Sequence, residues 1–237
     1  VSEAPGAVAS HPAPGLTIYQ PPRGFRYSLD PFLLAGFVLE GGAPASALDV
    51  GTGSGVLALV LARAGVGEVH GVDVRPEWAP LQRASAAASG LSVRWQTADV
   101  RDLHGPRVAC CVSNPPYFSP GGGPVSPDPV RAHARHALAG DLDELVPAMA
   151  RLAPRVALVL PAARGGEAAR LLEACGRPVR RRLVLGDRLV LLEGGGEGPR
   201  SDEAAPLYSP GEGFSARVHT LYTHAGVALA KGPEGNT

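Results

Sequence analysis

The sequence predicts an α/β fold: a mostly parallel sheet with helices on both faces. Three observations lead there. Short Val- and Leu-rich runs alternate with helix-patterned segments of about ten to fifteen residues between positions 46 and 193. A glycine-rich turn, "LDVGTGSG", joins the first run of that series to its helix. The next two runs end in "GVDV" and "TADV", placing an aspartate at each strand end, where open parallel sheets bind ligands.

Residues 1–16 are rich in Pro, Ala and Gly and are expected to form a flexible tail. Residues 17–237 then form a single domain, with a short N-terminal helical segment and a C-terminal extension from about 194. In "GFRYSLDPFLLAGFVLE", Ser28 or Asp30 caps a helix with Pro31 near its first position; Phe32, Leu33, Phe37 and Val38 make its apolar face. "ALDV" is a strand and "GVLALVLARAG" its helix, closed by Gly65. "EVHGVDV" is a strand, and "PEWAPLQRASAAASG" a helix running from Pro76 to Gly90. "VRWQTAD" and "RVACCVSN" are strands, and "DLDELVPAMARLA" a helix capped by Asp141 and kinked at Pro147. "RVALVLPA" is a strand, "GGEAARLLEACG" a helix, and "RRRLVLG" and "RLVLLEG" are two closing strands. Two segments interrupt the pattern: the Gly/Pro-rich loop "FSPGGGPVSPDPVRAHARH", and "GGGEGPRSDEAA", expected as a linker or hairpin tip.

A chain of 237 residues with 45% hydrophobic content buries a full core without staples. Lys231 is the only lysine, so nearly all basic charge is Arg. Formal net charge is zero, which argues against broad, non-specific nucleic-acid binding but leaves room for a local basic patch. Three cysteines, two adjacent in an apolar run, make neither a disulfide framework nor a metal-ligand spacing. The N-terminus has no signal-peptide pattern and no apolar stretch is long enough to span a bilayer, so a cytoplasmic location is expected.

The glycine turn sets the ligand. Gly51, Gly53 and Gly55 allow positive φ and close approach of a ligand to the backbone. A dinucleotide fingerprint requires a further glycine where Val56 stands, and Asp49 within the turn would repel a pyrophosphate. A carboxylate there suits an ammonium or sulfonium. Asp73 can accept from both ribose hydroxyls and Asp99 from an adenine amino group. Each acid alone is an ordinary strand-end turn residue. Together with the turn they describe a pocket for an adenosine with an amino-acid tail, S-adenosylmethionine.

"SNPPYF" then follows the apolar run 108–112. An adenine exocyclic amine is a poor nucleophile because its lone pair is delocalised into the ring. Two acceptors, the Asn114 side-chain carbonyl and the Pro115 backbone carbonyl, can draw its hydrogens out of the ring plane. The prolines fix both in advance. Tyr117 and Phe118 offer faces for stacking a base. The alternative for the motif is a proline-closed strand end over a buried tyrosine.

With these residues in hand, the chain resembles the bacterial tRNA1(Val) (adenine-37-N6)-methyltransferases. These are class I S-adenosylmethionine-dependent enzymes of the small-methyltransferase superfamily with an N-P-P-Y motif. Besides "LDVGTGSGVLAL" and "SNPPYF", the resemblance includes "GFRYSLDPFLLAGF", "ARHALAGDLDELV" and "PLYSPGEGFSARVHTLY". It implies a Rossmann-like, seven-stranded sheet with its last strand antiparallel. It also implies cofactor contacts from Gly51, Gly53, Asp73 and Asp99, handling of the target base by Asn114 and Tyr117, and pocket closure by Tyr27 and Asp30. The chain departs from the family at Ala137, where an acidic residue usually follows the Arg-His pair, and in its neutral charge. The expected partner is tRNA, with neither membrane nor metal, and the chain is expected to be a monomer or weak dimer.

The same motif serves enzymes that methylate a protein glutamine, so a protein-glutamine or small amine or amide acceptor is the second reading. A non-catalytic module that binds the cofactor or RNA is the third. Arg131, Arg135 and His136, with His133, flank the long loop and are candidate RNA contacts. Arg177 and the run Arg180 to Arg182 are equally well read as phosphate ligands or as solvated edge charges. Cys110, Cys111, Trp78 and Trp95 read as packing residues.

Overall fold

A computed structural model describes residues 6–23, 27–116, 142–198, 200–211, 213–227 and 229. In chain order the strands are β1 (Val8–Ala13), β2 (Leu16–Gln20), β3 (Ser46–Val50), β4 (Glu68–Asp73), β5 (Arg94–Thr97), β6 (Cys110–Ser113), β7 (Arg155–Pro161), β8 (Val179–Leu185), β9 (Leu189–Gly195), β10 (Ser201–Ala205), β11 (Tyr208–Ser209) and β12 (Gly213–Phe214). The helices are α1 (Asp30–Glu40), α2 (Val56–Arg63), α3 (Ala79–Ala88), α4 (Leu142–Leu152), α5 (Gly165–Ala174) and α6 (Ala216–His224).

Eight strands make the central sheet, in the order β10-β8-β9-β7-β6-β3-β4-β5. β3 lies parallel to both β4 and β6, β5 is parallel to β4, and β7 is parallel to β6. β9 runs antiparallel between β7 and β8. The expected count was seven. The eighth is β10, parallel to β8 at the far edge and formed by "SDEAA" from the segment expected as a linker. A short, charged strand is what an exposed edge tolerates, and its composition hides it from a hydrophobic pattern. The segment expected as a flexible tail also differs. Val8–Ala13 pairs antiparallel with Leu16–Gln20, and this hairpin docks on α3 through Ser85 and Ser89. Their hydroxyls accept from Tyr19 N at 2.8 Å and Thr17 N at 2.9 Å.

Strand side chains alternate between two cores. Ala47, Cys110, Val112, Ala157 and Val159 face α1, α2 and α6; Leu48, Val50, Cys111, Val156 and Leu158 face α4 and α5. The adjacent cysteines therefore point to opposite faces, and burial raises both thiols, Cys110 to about 12. Helix punctuation follows the sequence reading. At Gly65 (φ 88°) and Gly90 (φ 63°) the chain turns left-handed, and the next amide bonds back to Leu61 O and Ala86 O. Two details differ. Leu29, not Ser28 or Asp30, occupies the α1 cap position, and α4 runs through Pro147, which lies on its exposed face. Asp141 lies outside the described residues.

Arginines close the far end of α1. Arg155, the first residue of β7, donates to Val38 O at 2.7 Å and Gly42 O at 2.6 Å. Arg181 donates to Phe37 O at 2.6 Å and pairs with Glu40 at 2.8 Å; Arg217 also pairs with Glu40, at 2.6 Å. The C-terminus of α1 thus lies at the amino edge of the parallel strands. Three arginines of the basic stretch have partners within the chain. Arg181 is turned inward, Arg182 pairs with Asp202 on β10 at 3.0 Å, and Arg177 donates to Ala150 O and Ala153 O.

α1 and α6 touch backbone to backbone at Gly36, where an added Cβ would overlap the Leu221 carbonyl. Gly36→Ala is expected to separate these helices and lower stability by about 1–3 kcal/mol. Urea unfolding should show this as a lower midpoint with an unchanged slope.

Candidate functional site

The carboxyl edge at the middle of the sheet carries Asp49, Gly51, Gly53, Asp73, Asn114 and Pro115. β3 enters the glycine turn at Gly51, and its neighbours there are the ends of β4, with Asp73, and of β6, followed by Asn114. Strand order reverses at this place: β3 leads through its turn to α2 on one face, whereas α4, the next described element after β6, lies on the other. A crevice between diverging loops is what such a switch point produces.

Three of the glycines in this region do two different things. Gly51 and Gly53 have φ of 69° and 53°, and a Cβ on either would meet none of the described residues within 4 Å. Among the described residues, open space therefore stands in front of the turn, as a ligand lying against its backbone requires. Gly55 is the left-handed cap of α2, with φ 86°, and its space is taken by Trp95: a Cβ would lie 2.7 Å from the indole. Gly71 on β4 faces the same ring, at 2.5 Å. Trp95, read from sequence as packing, is the support behind the turn.

Asp49 is only 1% exposed. Its Oδ2 accepts from Thr52 Oγ1 at 2.5 Å and from Ala58 N, in the first turn of α2, at 3.2 Å. The carboxylate expected to meet a cation is thus partly spent bracing the turn from within. It also occupies the N-terminal donor of α2 that a pyrophosphate would use, so the geometry adds a reason against a dinucleotide. Desolvation raises its pKa to about 7, and the nearby Asp73 charge adds to the rise.

Asp73 holds the turn from the other side. Gly53 N donates to Oδ2 at 2.8 Å and Arg75 N to Oδ1 at 3.0 Å. Arg75 Nε also lies 3.5 Å from Oδ1, so a ribose hydroxyl would share that oxygen with the guanidinium, while Oδ2 keeps a further lone pair. The Gly53 carbonyl is fixed in turn by Gln82 Nε2 at 2.8 Å, so this residue is held on both sides. Neither Gln82 nor Thr52 stood out in the sequence; one lies within a helix and the other between glycines.

Asp99 lies beyond the end of β5, where its backbone and side chain start a short helical turn. Both of its oxygens are engaged by the Arg101 guanidinium, which also reaches Glu144 on α4 and holds the Asp99 carboxyl below the usual carboxylate range. An adenine amino group would have to share this acceptor with Arg101.

Asn114 is half-buried, Pro115 buried and Pro116 exposed. Tyr117, Phe118, Arg131, Arg135 and His136 lie outside the described residues. Tyr27 sits at the entrance to α1, its hydroxyl 2.7 Å from Ser10 Oγ and its amide bonded to Gln20 Oε1 at 2.9 Å. Asp30 is buried at the first position of α1. Among the described residues no group of three His, Cys, Asp or Glu side chains is arranged to hold a metal, and no helix is long and apolar enough to cross a membrane.

Asp49 carries a pH dependence whose sign is fixed. A folded-state pKa raised from 3.8 to about 7 favours the folded chain below about 4, and that advantage is lost as pH rises to about 7. Asn keeps an acceptor for Ala58 and removes the charge. Asp49→Asn is expected to be more stable than the unsubstituted chain by on the order of 2 kcal/mol at pH 8, with the gap shrinking toward pH 5. Thermal unfolding across that range measures it.

The chain is similar to known methyltransferases in sequence and in fold. A family model described as "Methyltransferase domain" matches residues 47–119, from β3 through "NPPY". The chain is 39% identical over 127 residues to the tRNA1(Val) (adenine(37)-N6)-methyltransferase of Aeromonas salmonicida, covering 51% of this chain and 53% of that one. A release factor glutamine methyltransferase of Deinococcus radiodurans is 47% identical over 73 residues, 30% of this chain and 26% of that protein. The chain spans about half the length of the tRNA-modifying relatives it matches. In structure it resembles the Pyrococcus abyssi tRNA (uracil-54, C5)-methyltransferase solved with S-adenosyl-L-homocysteine, with a TM-score of 0.58 at 16% identity, covering 80% of this chain and 43% of that one. The chain thus has the fold seen in S-adenosylmethionine-dependent methyltransferases, matches a methyltransferase family over residues 47–119, and is a sequence relative of the tRNA1(Val) (adenine(37)-N6)-methyltransferases.

Proposed function

We propose that this chain transfers a methyl group from S-adenosylmethionine to the exocyclic N6 of an adenine in tRNA. The observation that carries this reading is the adjacency at the switch point: an open glycine turn with Asp73 at its side, and the Asn114–Pro115 corner on the neighbouring strand. When bound, the cofactor supplies an electrophilic methyl group on a sulfonium.

The residues of the chain do the rest. Gly51 and Gly53 receive the amino-acid tail against bare backbone, and Asp49, whose charged form a bound cation would favour, keeps that backbone in place. Asp73 accepts the ribose hydroxyls with its remaining lone pairs, and Asp99 accepts from the adenine edge. Tyr27 and Asp30, at the entrance to α1, close the pocket. On the acceptor side, the Asn114 carbonyl and the Pro115 carbonyl each take one hydrogen of the target amine, turning its lone pair out of conjugation. No strong base is needed, because the nitrogen's proton becomes acidic once the new bond forms. Tyr117 and Phe118 stack the base, which must leave its own stack to enter. Arg131, Arg135 and His136 hold the RNA backbone. The expected state is a cytoplasmic monomer or weak dimer.

A protein glutamine amide is the second reading. It is favoured by the match to the release factor enzyme and by the internal use of Arg177, Arg181 and Arg182, which leaves those cations engaged within the fold. Labelled cofactor incubated with total tRNA and with total protein separates the two. Label in tRNA recovered as N6-methyladenosine supports the first; label in protein alone supports the second and overturns the first.

Asn114→Ala is expected to reduce turnover by at least about 100-fold while leaving the Kd for S-adenosylhomocysteine within about three-fold. Equal loss of both would contradict the division of roles. Single-turnover rates beside calorimetric binding make the comparison.

A further inference from the structure

The backbone ladder between β3 and β6 pairs Ala47 with Cys110, Leu48 with Cys111 and Asp49 with Val112, and there it stops. One residue further on, the Ser113 hydroxyl donates to the Val50 carbonyl at 2.7 Å, and Ser113 is only 1% exposed. A side chain continues the pairing past the point where the backbones cease to pair. The two residues it joins matter for where they lie. Val50 directly precedes Gly51, and Ser113 directly precedes Asn114. On its other side Ser113 is still in register with Leu158 of β7, so the serine itself is held within the sheet. This hydrogen bond therefore spans the floor of the crevice between the turn and the Asn-Pro corner.

We infer that Ser113 is a positioning residue that sets the separation of the two half-sites, acting through Val50 on one side and Asn114 on the other. The inference rests on the reading of Asn114 as the acceptor-binding amide. Two groups that must meet at bonding distance are sensitive to such a spacer, since a displacement of about 1 Å can cost about 100-fold in rate. Loss of the hydroxyl also leaves a buried carbonyl with one partner fewer, so stability has to be followed separately from turnover.

The test compares Ser113→Ala and Ser113→Thr in the full chain, with total tRNA as acceptor and both substrates saturating. Ser113→Ala should lower kcat by about 10- to 100-fold and leave the Kd for S-adenosylhomocysteine within about two-fold. Ser113→Thr, which keeps the hydroxyl, should recover to within about three-fold of the unsubstituted chain. A kcat for Ser113→Ala within two-fold of the unsubstituted chain overturns the inference. So does an equal loss in both variants, which would assign the effect to volume. Should Ser113→Ala not fold, Ser113→Cys takes its place; its thiol is a weak donor of similar size, and its kcat must then fall below that of Ser113→Thr.

Should the unsubstituted chain methylate neither tRNA nor protein, the proposed function fails on its own. Hydrogen exchange then decides the inference. Faster exchange at Gly51 to Ser54 and at Asn114 in Ser113→Ala supports a spacer, and unchanged exchange at both places overturns it.

Discussion

The parting of β3 and β6 is the constraint on which the rest of the site depends. Up to Asp49 and Val112 the two strands are held by backbone pairing, which is insensitive to side-chain identity. Beyond that line the chain must open a crevice without losing its geometry, and side chains take over. Asp49 reaches forward to Thr52 and Ala58, Asp73 and Gln82 hold Gly53 by its N–H and its carbonyl, and the Ser113 hydroxyl crosses to Val50. The last of these stands where a β3–β6 ladder contact would be, and the others brace the turn itself. Burying Asp49 costs stability, as its raised pKa records, and folds routinely concentrate such costs where ligands bind.

Much of this was legible in the sequence because the signals were local. The strand–helix alternation, Gly65 and Gly90 as helix ends, and the order Asp49, Asp73, Asp99, Asn114 along successive strands all depend on residues near one another in the chain. What escaped was non-local or weakly apolar. β10 reads as a polar linker until β8 offers it an edge, and β1 reads as a tail until α3 offers two serine hydroxyls to its partner β2. Arg101 could not be foreseen over Asp99, since two residues' separation says nothing about a guanidinium folding back. Gln82 looked like any polar position on a helix because the carbonyl it serves lies 29 residues earlier in the chain.

The arginine bias has a structural outlet as well. Arg155, Arg177, Arg181 and Arg151 each place a guanidinium against backbone carbonyls at helix ends or turns. The planar fork satisfies several acceptors at once, which an ammonium on a flexible stem does less well. Zero net charge is in keeping with this use: these cations seam the fold together, much as caps and turns do elsewhere.

Trp95 ties two distant choices together. Its ring fills the volume that side chains at 55 and 71 would claim, one in the cofactor-side turn and the other in the adjoining strand. None of the three can drift alone. A smaller group at 95 would hollow out the backing of the turn, and any larger group at 55 or 71 would evict the ring. These positions form one packing unit, and a loop transplanted here would have to bring its own backing with it.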